Sequence, residues 1–354
     1  MRMVRMLVAL LALMTPAMAV ETPDVLRQAV DGFIRPGFAQ LAGRSSGLEK
    51  DLGNLCADPS ATQLALARQQ FGKVVDAFSR VEFLKFGPLV EESRLERLLF
   101  WPDRKGIALR QVQAILADED DSATSLTSLQ GKSVAVQGLT ALEFVLFGTG
   151  AETLETGEGD FRCRYGAAIG AAIADTAGEL ATAWFAPDGI AAHLTAPTPD
   201  HADYRSLREA LEELVGAMAY GIESIRDTRL LPFVGRDGAA PKPKSALFWR
   251  SGLTVPAMRA GFAGIGDLLD ASQVGLATTQ DNLWVDNSAR FELGNALRAA
   301  DAVSLPVEQA LADPAQKRAL DYLVILTGSL QTLLGENLSS ALGLSVGFSS
   351  LDGD

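Results

Sequence analysis

The 354 residues carry 31 Lys+Arg against 44 Asp+Glu, a formal charge of −13, with only two histidines and two cysteines. A surface that acidic repels nucleic acid and anionic lipid, so neither is expected as a partner. The length exceeds what one hydrophobic core usually supports and points to two domains.

The chain opens on a targeting segment. "MRMVR" is basic, "MLVALLALM" is a short apolar run and "TPAMA" ends in a small-x-small site, the layout of a secretory signal peptide. Residues 1–19 are therefore predicted to be removed after Ala19, and loss of the positive charges of Arg2 and Arg5 takes the net charge from −13 to −15. The apolar run is too short to span a bilayer, and no later stretch suits a membrane span. The mature chain reads as a soluble exported protein. In that setting the two lone cysteines, Cys56 and Cys163, are expected to form a disulfide rather than a reactive pair. Closing a loop of about a hundred residues stabilises a fold by up to about 4–5 kcal/mol before strain.

From Thr22 onward, Val25, Leu26, Val30, Phe33, Ile34, Phe38, Leu41, Leu48 and Leu52 recur at helical spacing, with Pro36 expected to kink or break the helix. Ser60 is placed to cap a second helix that Gly87-Pro88 stops. After the break at Trp101-Pro102, Asp103 is expected to cap a third helix over 104–118, and a fourth covers 131–148, closed by Gly148 and Gly150. The polar, glycine-rich stretch "TGAETLETGEGD" then marks the expected domain boundary. Five further helices are predicted, over 161–185, 203–233, 254–271, 280–300 and 313–334. In the first of these, Gly166 and Gly170 allow close approach by a neighbour. No alternating pattern flanked by hairpin turns occurs. The expected fold is all-α, tandem up-and-down helical bundles, the first spanning 20–157 and the second 158–354.

The stretch "VQGLTALEFVLFGTG" poses the central chemical question. On a helix, Thr140 and Glu143 share a face one turn apart. Leu139, Leu142 and Leu146 form a neighbouring apolar row, and Phe144 and Phe147 cover other sides. A helix apolar nearly all round is a central one. An ionised glutamate there needs a cation, a metal or several hydrogen bonds. An arginine is favoured over a metal, with Arg94 and Arg259 as candidate partners. The alternative is an oxygen-only metal site that recruits Glu82, Glu91 and Glu92.

The same stretch resembles the G-x-H-x-x-E signature of the imelysin family, exported bacterial proteins also classed as a metallopeptidase group. Gly138 and Glu143 match, while Thr140 stands where the family has histidine. "FGPLVEESRLERLLFWPDRKGIALRQVQ" and "SVGFSSLDGD" resemble the family's segment upstream of the motif and its C-terminal ending. The resemblance implies paired helical bundles, a site near their interface, a periplasmic location and an association with bacterial iron uptake. It makes the motif histidine and glutamate the suspected metal ligands. A threonine hydroxyl is a poor ligand for zinc or iron, so Glu143 is left as the one metal-ligand candidate of the motif. The implied cofactor is iron or another divalent metal.

Hydrolytic signatures are missing. Neither HExxH, HxxEH nor GxSxG occurs, and a serine triad would have to recruit His193 or His201 from a proline-containing loop. Gly261, Gly264 and Gly266 follow no strand and read as close helix packing. "EESRLER" reads as a salt-bridged face, while Trp101 and Arg94 have an alternative reading, at a cleft between the bundles, orienting an anionic or chelated ligand.

The expectation is a periplasmic, non-catalytic binding protein associated with iron acquisition. Its site would draw on Gly138, Thr140, Glu143, Arg94, Trp101 and Arg259. Its partners would be a metal ion or chelated iron, and other periplasmic or membrane iron-uptake components. The alternatives are a metal-dependent peptidase, which needs a water-activating metal and a general base, and an interaction protein with no small-molecule site.

Overall fold

A computed structural model describes residues 20–103, 105–235 and 239–345. The expected signal peptide and most of the C-terminal ending lie outside these residues. Among the described residues the chain forms helices and turns and no strand.

α1 (Thr22–Ala29) passes through one π turn, Val30–Ile34, directly into α2 (Arg35–Ala57). Of the kink or break expected at Pro36, the break does not occur, and the helix departs from regular α geometry just before it. Proline lacks the N–H that a regular turn requires, and the wider turn just before it absorbs the mismatch. α3 (Ala61–Ser79) starts on Ser60, whose hydroxyl accepts from the Gln63 N–H at 3.3 Å. The short α4 (Arg94–Leu98) precedes α5 (Ile107–Asp118). The Asp103 carboxylate caps α5, accepting from the Ile107 and Ala108 N–H groups at 2.8 and 2.9 Å. α6 (Leu126–Gln130), α7 (Leu139–Phe147) and the long α8 (Asp160–Phe185) follow.

After α9 (Ile190–Thr195), α10 (Leu207–Ser224) runs through a second π turn, Ile225–Leu230, into α11 (Leu231–Val234) around Pro232. α12 (Thr254–Ser272), α13 (Leu283–Asp301), α14 (Val307–Ala312) and α15 (Pro314–Gln331) follow, and a third π turn, Thr332–Asn337, leads into α16 (Leu338–Ala341). Among the described residues, no helix is long and apolar enough to cross a membrane.

α2 lies against both α3 and α8, and α8 also touches α4, α6 and α7. Helix contact thus groups α8 with the elements before residue 157. α12 packs on α13, α13 on α15, and α15 on α10, while α1 and α3 meet α12 and join the two groups. Two glycines set the helix separations. A Cβ at Gly170 would meet the Leu52 side chain of α2 at 2.4 Å, and one at Gly264 would meet the Arg80 carbonyl oxygen at 2.0 Å. The second contact cannot be relieved by a rotamer change.

Cys56, near the end of α2, and Cys163, near the start of α8, form the expected disulfide, with Cα atoms 5.5 Å apart. It clamps the first group of helices at one end. The double variant Cys56→Ser/Cys163→Ser should lose about 2–5 kcal/mol of stability, read as an earlier denaturant midpoint. An unchanged midpoint would mean that helix packing alone fixes that end.

Candidate functional site

α7 is held at both ends by contacts with α4, α3 and α8. At its N-terminus, a Cβ on Gly138 would sit 2.5 Å from the Leu98 carbonyl oxygen and 2.7 Å from that of Arg97. The motif glycine is thus required by the close approach of α4. The Tyr165 hydroxyl donates to the Val136 carbonyl at 2.8 Å and anchors the turn that leads in. At the C-terminus, Arg68 donates to the Leu146 carbonyl at 2.8 Å, and Arg162 donates to the carbonyls of Val145 and Thr149 at 3.0 and 2.7 Å. These cations occupy helix-end carbonyls that would otherwise be unsatisfied.

Glu143 is 4% exposed. Its Oε1 accepts two hydrogen bonds from Ser251, from the backbone N–H at 2.9 Å and from the hydroxyl at 2.8 Å. Ser251 lies in a tight turn between Lys242 and α12. There Phe248 adopts φ +59°, an uncommon left-handed conformation for a bulky side chain. Burial of the Phe248 ring holds it, packed edge-on against Phe71 at 6.1 Å between centroids. That reversal turns Trp249, Arg250 and Ser251 toward α7.

Burial pushes the Glu143 carboxyl above its ordinary value, an effect that the Ser251 hydrogen bonds and the positive charge of Arg250 oppose. Arg250 is half-buried, and its guanidinium lies over the rings of Trp249 and Phe144, 4.5 and 5.3 Å from their centroids. Burial lowers its own affinity for a proton while Glu143 raises it.

These groups line a cavity of about 680 Å³ bounded by α5, α7, the second π turn and residues 242–250. Thr140 and Glu143 sit on one wall and Trp101 and Thr228 on another; Lys242, Lys244 and Arg250 supply positive charge, and Asp103 and Asp227 also line the cavity. The Trp101 indole donates to the Thr228 carbonyl at 3.2 Å, which fixes the ring. The Thr140 hydroxyl oxygen is buried and has no hydrogen-bond partner within the protein. An orphaned polar atom of that kind on a cavity wall suits a ligand or an ordered water.

The structure brings Thr140, Glu143 and Trp101 together, with Gly138 at the foot of the same helix. Arg94 and Arg259 stand elsewhere, which corrects the expected partnership with Glu143. Arg94 binds Glu179 and Glu92 at 2.8 and 3.0 Å, and Arg259 binds Asp301 at 2.5 Å. The cation whose charge acts on Glu143 is Arg250. The carboxylates considered for an oxygen-only site are also committed elsewhere. Glu82 pairs with Arg229 at 2.6 Å, and Glu91 and Glu92 face Arg94.

A metal implied by the motif therefore meets a poor donor set. Beside Glu143, whose Oε1 already accepts two hydrogen bonds, it comprises one neutral hydroxyl and an arginine charge close by. Of the two aspartates that also line the cavity, Asp103 and Asp227, the first is engaged in capping α5, and among the described residues neither forms a three-ligand group with Glu143. Those residues do not fit a zinc or iron centre. The residues missed from sequence, Phe248, Trp249, Arg250 and Ser251, lie outside any periodic segment. Their one signal was the aromatic–basic cluster "LFWRS" between a proline-containing loop and a helix.

The family profile described as Imelysin matches residues 34–334. No curated protein sequence matches the chain. Among solved structures, the fold is similar to an imelysin-like protein from Psychrobacter arcticum 273-4, with TM-score 0.75 and 19% identity, covering 94% of this chain and 100% of that one. It is also similar to a protein proposed to be an iron-regulated protein A precursor, from Parabacteroides distasonis ATCC 8503. There the TM-score is 0.73 and the identity 15%, covering 92% of this chain and 97% of the other.

Proposed function

Because the chain belongs to the imelysin family, we propose that it is an exported, periplasmic, non-catalytic binding protein in iron acquisition. Its ligand is an anionic iron chelate held in the cavity beside Glu143. The observation that carries this reading is the cavity wall itself. It combines aromatic rings with Lys242, Lys244 and Arg250, while of its two aspartates, Asp103 and Asp227, the first is engaged in capping α5, and the buried hydroxyl of Thr140 has no partner within the protein. Positive charge with aromatic surface suits an anion with an organic body. The description of one structural relative as iron-regulated supports the association with iron.

Each residue has a distinct part. Arg250, pinned between two rings, is preorganised to meet a carboxylate of the chelate. Thr140 supplies a hydroxyl that has no partner within the protein. Burial raises the Glu143 carboxyl's affinity for its proton, which lessens its repulsion of an anion, while Ser251 orients it. Thus the threonine that departs from the family pattern fits recognition of an intact chelate, with the metal's own ligands supplied by the chelator.

Isothermal titration of the mature protein with ferric citrate tests this. Saturable binding is expected, weakened at least about tenfold in Arg250→Ala, the scale of a lost charge-assisted hydrogen bond. Absence of binding by ferric citrate and by citrate alone, or equal binding by Arg250→Ala, would overturn the reading.

A further inference from the structure

The only two histidines of the chain meet outside the cavity. His193 is carried near the end of α9, and the proline-containing loop that follows returns His201 against it, with ring centroids 3.6 Å apart. Asp203 joins both. Its Oδ2 lies 3.1 Å from His193 Nδ1 and 3.8 Å from His201 Nδ1, and its backbone N–H donates to His201 Nδ1 at 3.1 Å. One ligand atom from each of the three residues falls within 4.8 Å of the others. The imidazole side chains are about one-quarter exposed, at 27% and 28%, so the group opens to solvent on one side.

We propose that His193, His201 and Asp203 form a surface site for a divalent first-row transition metal of the zinc type, separate from the chelate cavity. Two imidazoles and one carboxylate supply borderline nitrogen and hard oxygen donors. That set suits zinc, copper, nickel or ferrous iron and disfavours magnesium and calcium, which prefer oxygen alone. Three protein ligands facing solvent leave the fourth tetrahedral position to water. In the metal-free arrangement the Asp203 N–H occupies the lone pair of His201 Nδ1. Binding through that atom exchanges one hydrogen bond for one coordinate bond, and the exposed N–H turns to water. Bringing together the sole histidines of a chain, in ring contact and beside a shared carboxylate, is costly in side-chain freedom for a simple loop clasp. A bound cation recovers that cost.

The site does not depend on the cavity reading, and its test separates the two. Mature protein purified without an affinity tag is titrated with zinc chloride and, in parallel, with cobalt(II) chloride followed by visible absorption. One zinc per chain is expected, with a cobalt spectrum of low coordination number. Both should be weakened at least about tenfold in His201→Ala and in Asp203→Asn, and both should be retained in Glu143→Gln. Ferric citrate binding should be unaffected by His201→Ala. Failure to bind zinc, or equal binding by wild type and His201→Ala with unchanged circular dichroism, would overturn the proposal. Loss of zinc binding in Glu143→Gln alone would place the metal in the cavity and overturn it equally.

Discussion

Arg229→Ala is expected to lower stability by about 3–5 kcal/mol. Arg229 and Glu82 are each 6% exposed, and the guanidinium Nη2 donates to Glu82 Oε2 at 2.6 Å. Glu82 lies in the turn after α3 and Arg229 in the π turn after α10, so the pair ties the two helix groups together. Truncating the arginine leaves a buried carboxylate without its cation. Replacing both by apolar residues, Glu82→Leu/Arg229→Met, removes the charges together and should recover most of the loss. Denaturant unfolding of the two variants provides the comparison. A single variant within about 0.5 kcal/mol of wild type, the range of an ordinary surface substitution, would mean that water reaches the pair. The neighbouring Thr228 carbonyl holds the Trp101 ring, so Arg229→Ala should also weaken chelate binding.

The second large effect concerns Glu143. Burial raises its carboxyl above the ordinary value, so the folded chain holds that proton more tightly than the unfolded chain. The resulting stability is fully present below the unfolded carboxyl's pKa and is lost as pH rises through the raised folded value. Glu143→Gln keeps an oxygen to accept both Ser251 bonds but has no charge to bury. The variant should match wild type in acid and exceed it in melting temperature near neutrality. Glu143→Ala leaves the Ser251 N–H without its acceptor, while the hydroxyl turns to the Phe248 carbonyl at 3.1 Å, and should cost about 1–3 kcal/mol in acid, where charge relief cannot offset the loss. Melting temperatures from about pH 4 to about pH 8 decide the matter. Parallel curves for wild type and Glu143→Gln would show that the carboxyl is solvated.

The helical architecture was legible because apolar spacing repeats over long segments, as in α2, α8 and α12. Burial of α7 and its glutamate followed from apolar residues on every side. Helix ends were less legible. The predicted start of the fourth helix, at residue 131, becomes the 3-10 turn Val134–Val136, and α7 begins only after Gly138 has passed beneath the Leu98 carbonyl. At Pro36 the helix is perturbed without being broken, because the π turn Val30–Ile34 just upstream accommodates the proline. The cavity was only half legible. Thr140 and Trp101 were chosen by motif and by chain break, and both line it. The arginines chosen for Glu143 were wrong because pairing depends on tertiary placement, and Glu179 and Asp301 claim Arg94 and Arg259 instead. Arg250 belongs to a turn set by Phe248 at positive φ, a conformation that no periodicity reveals.

The most direct measurement is a crystal structure of the mature protein grown with ferric citrate, with data collected at the iron absorption edge. The expected result is an anomalous peak inside the cavity, with a citrate carboxylate against Arg250, a contact to the Thr140 hydroxyl, and no iron–oxygen bond to Glu143. Iron bonded directly to the Glu143 carboxylate, or an empty cavity with iron elsewhere, would contradict the chelate-binding role.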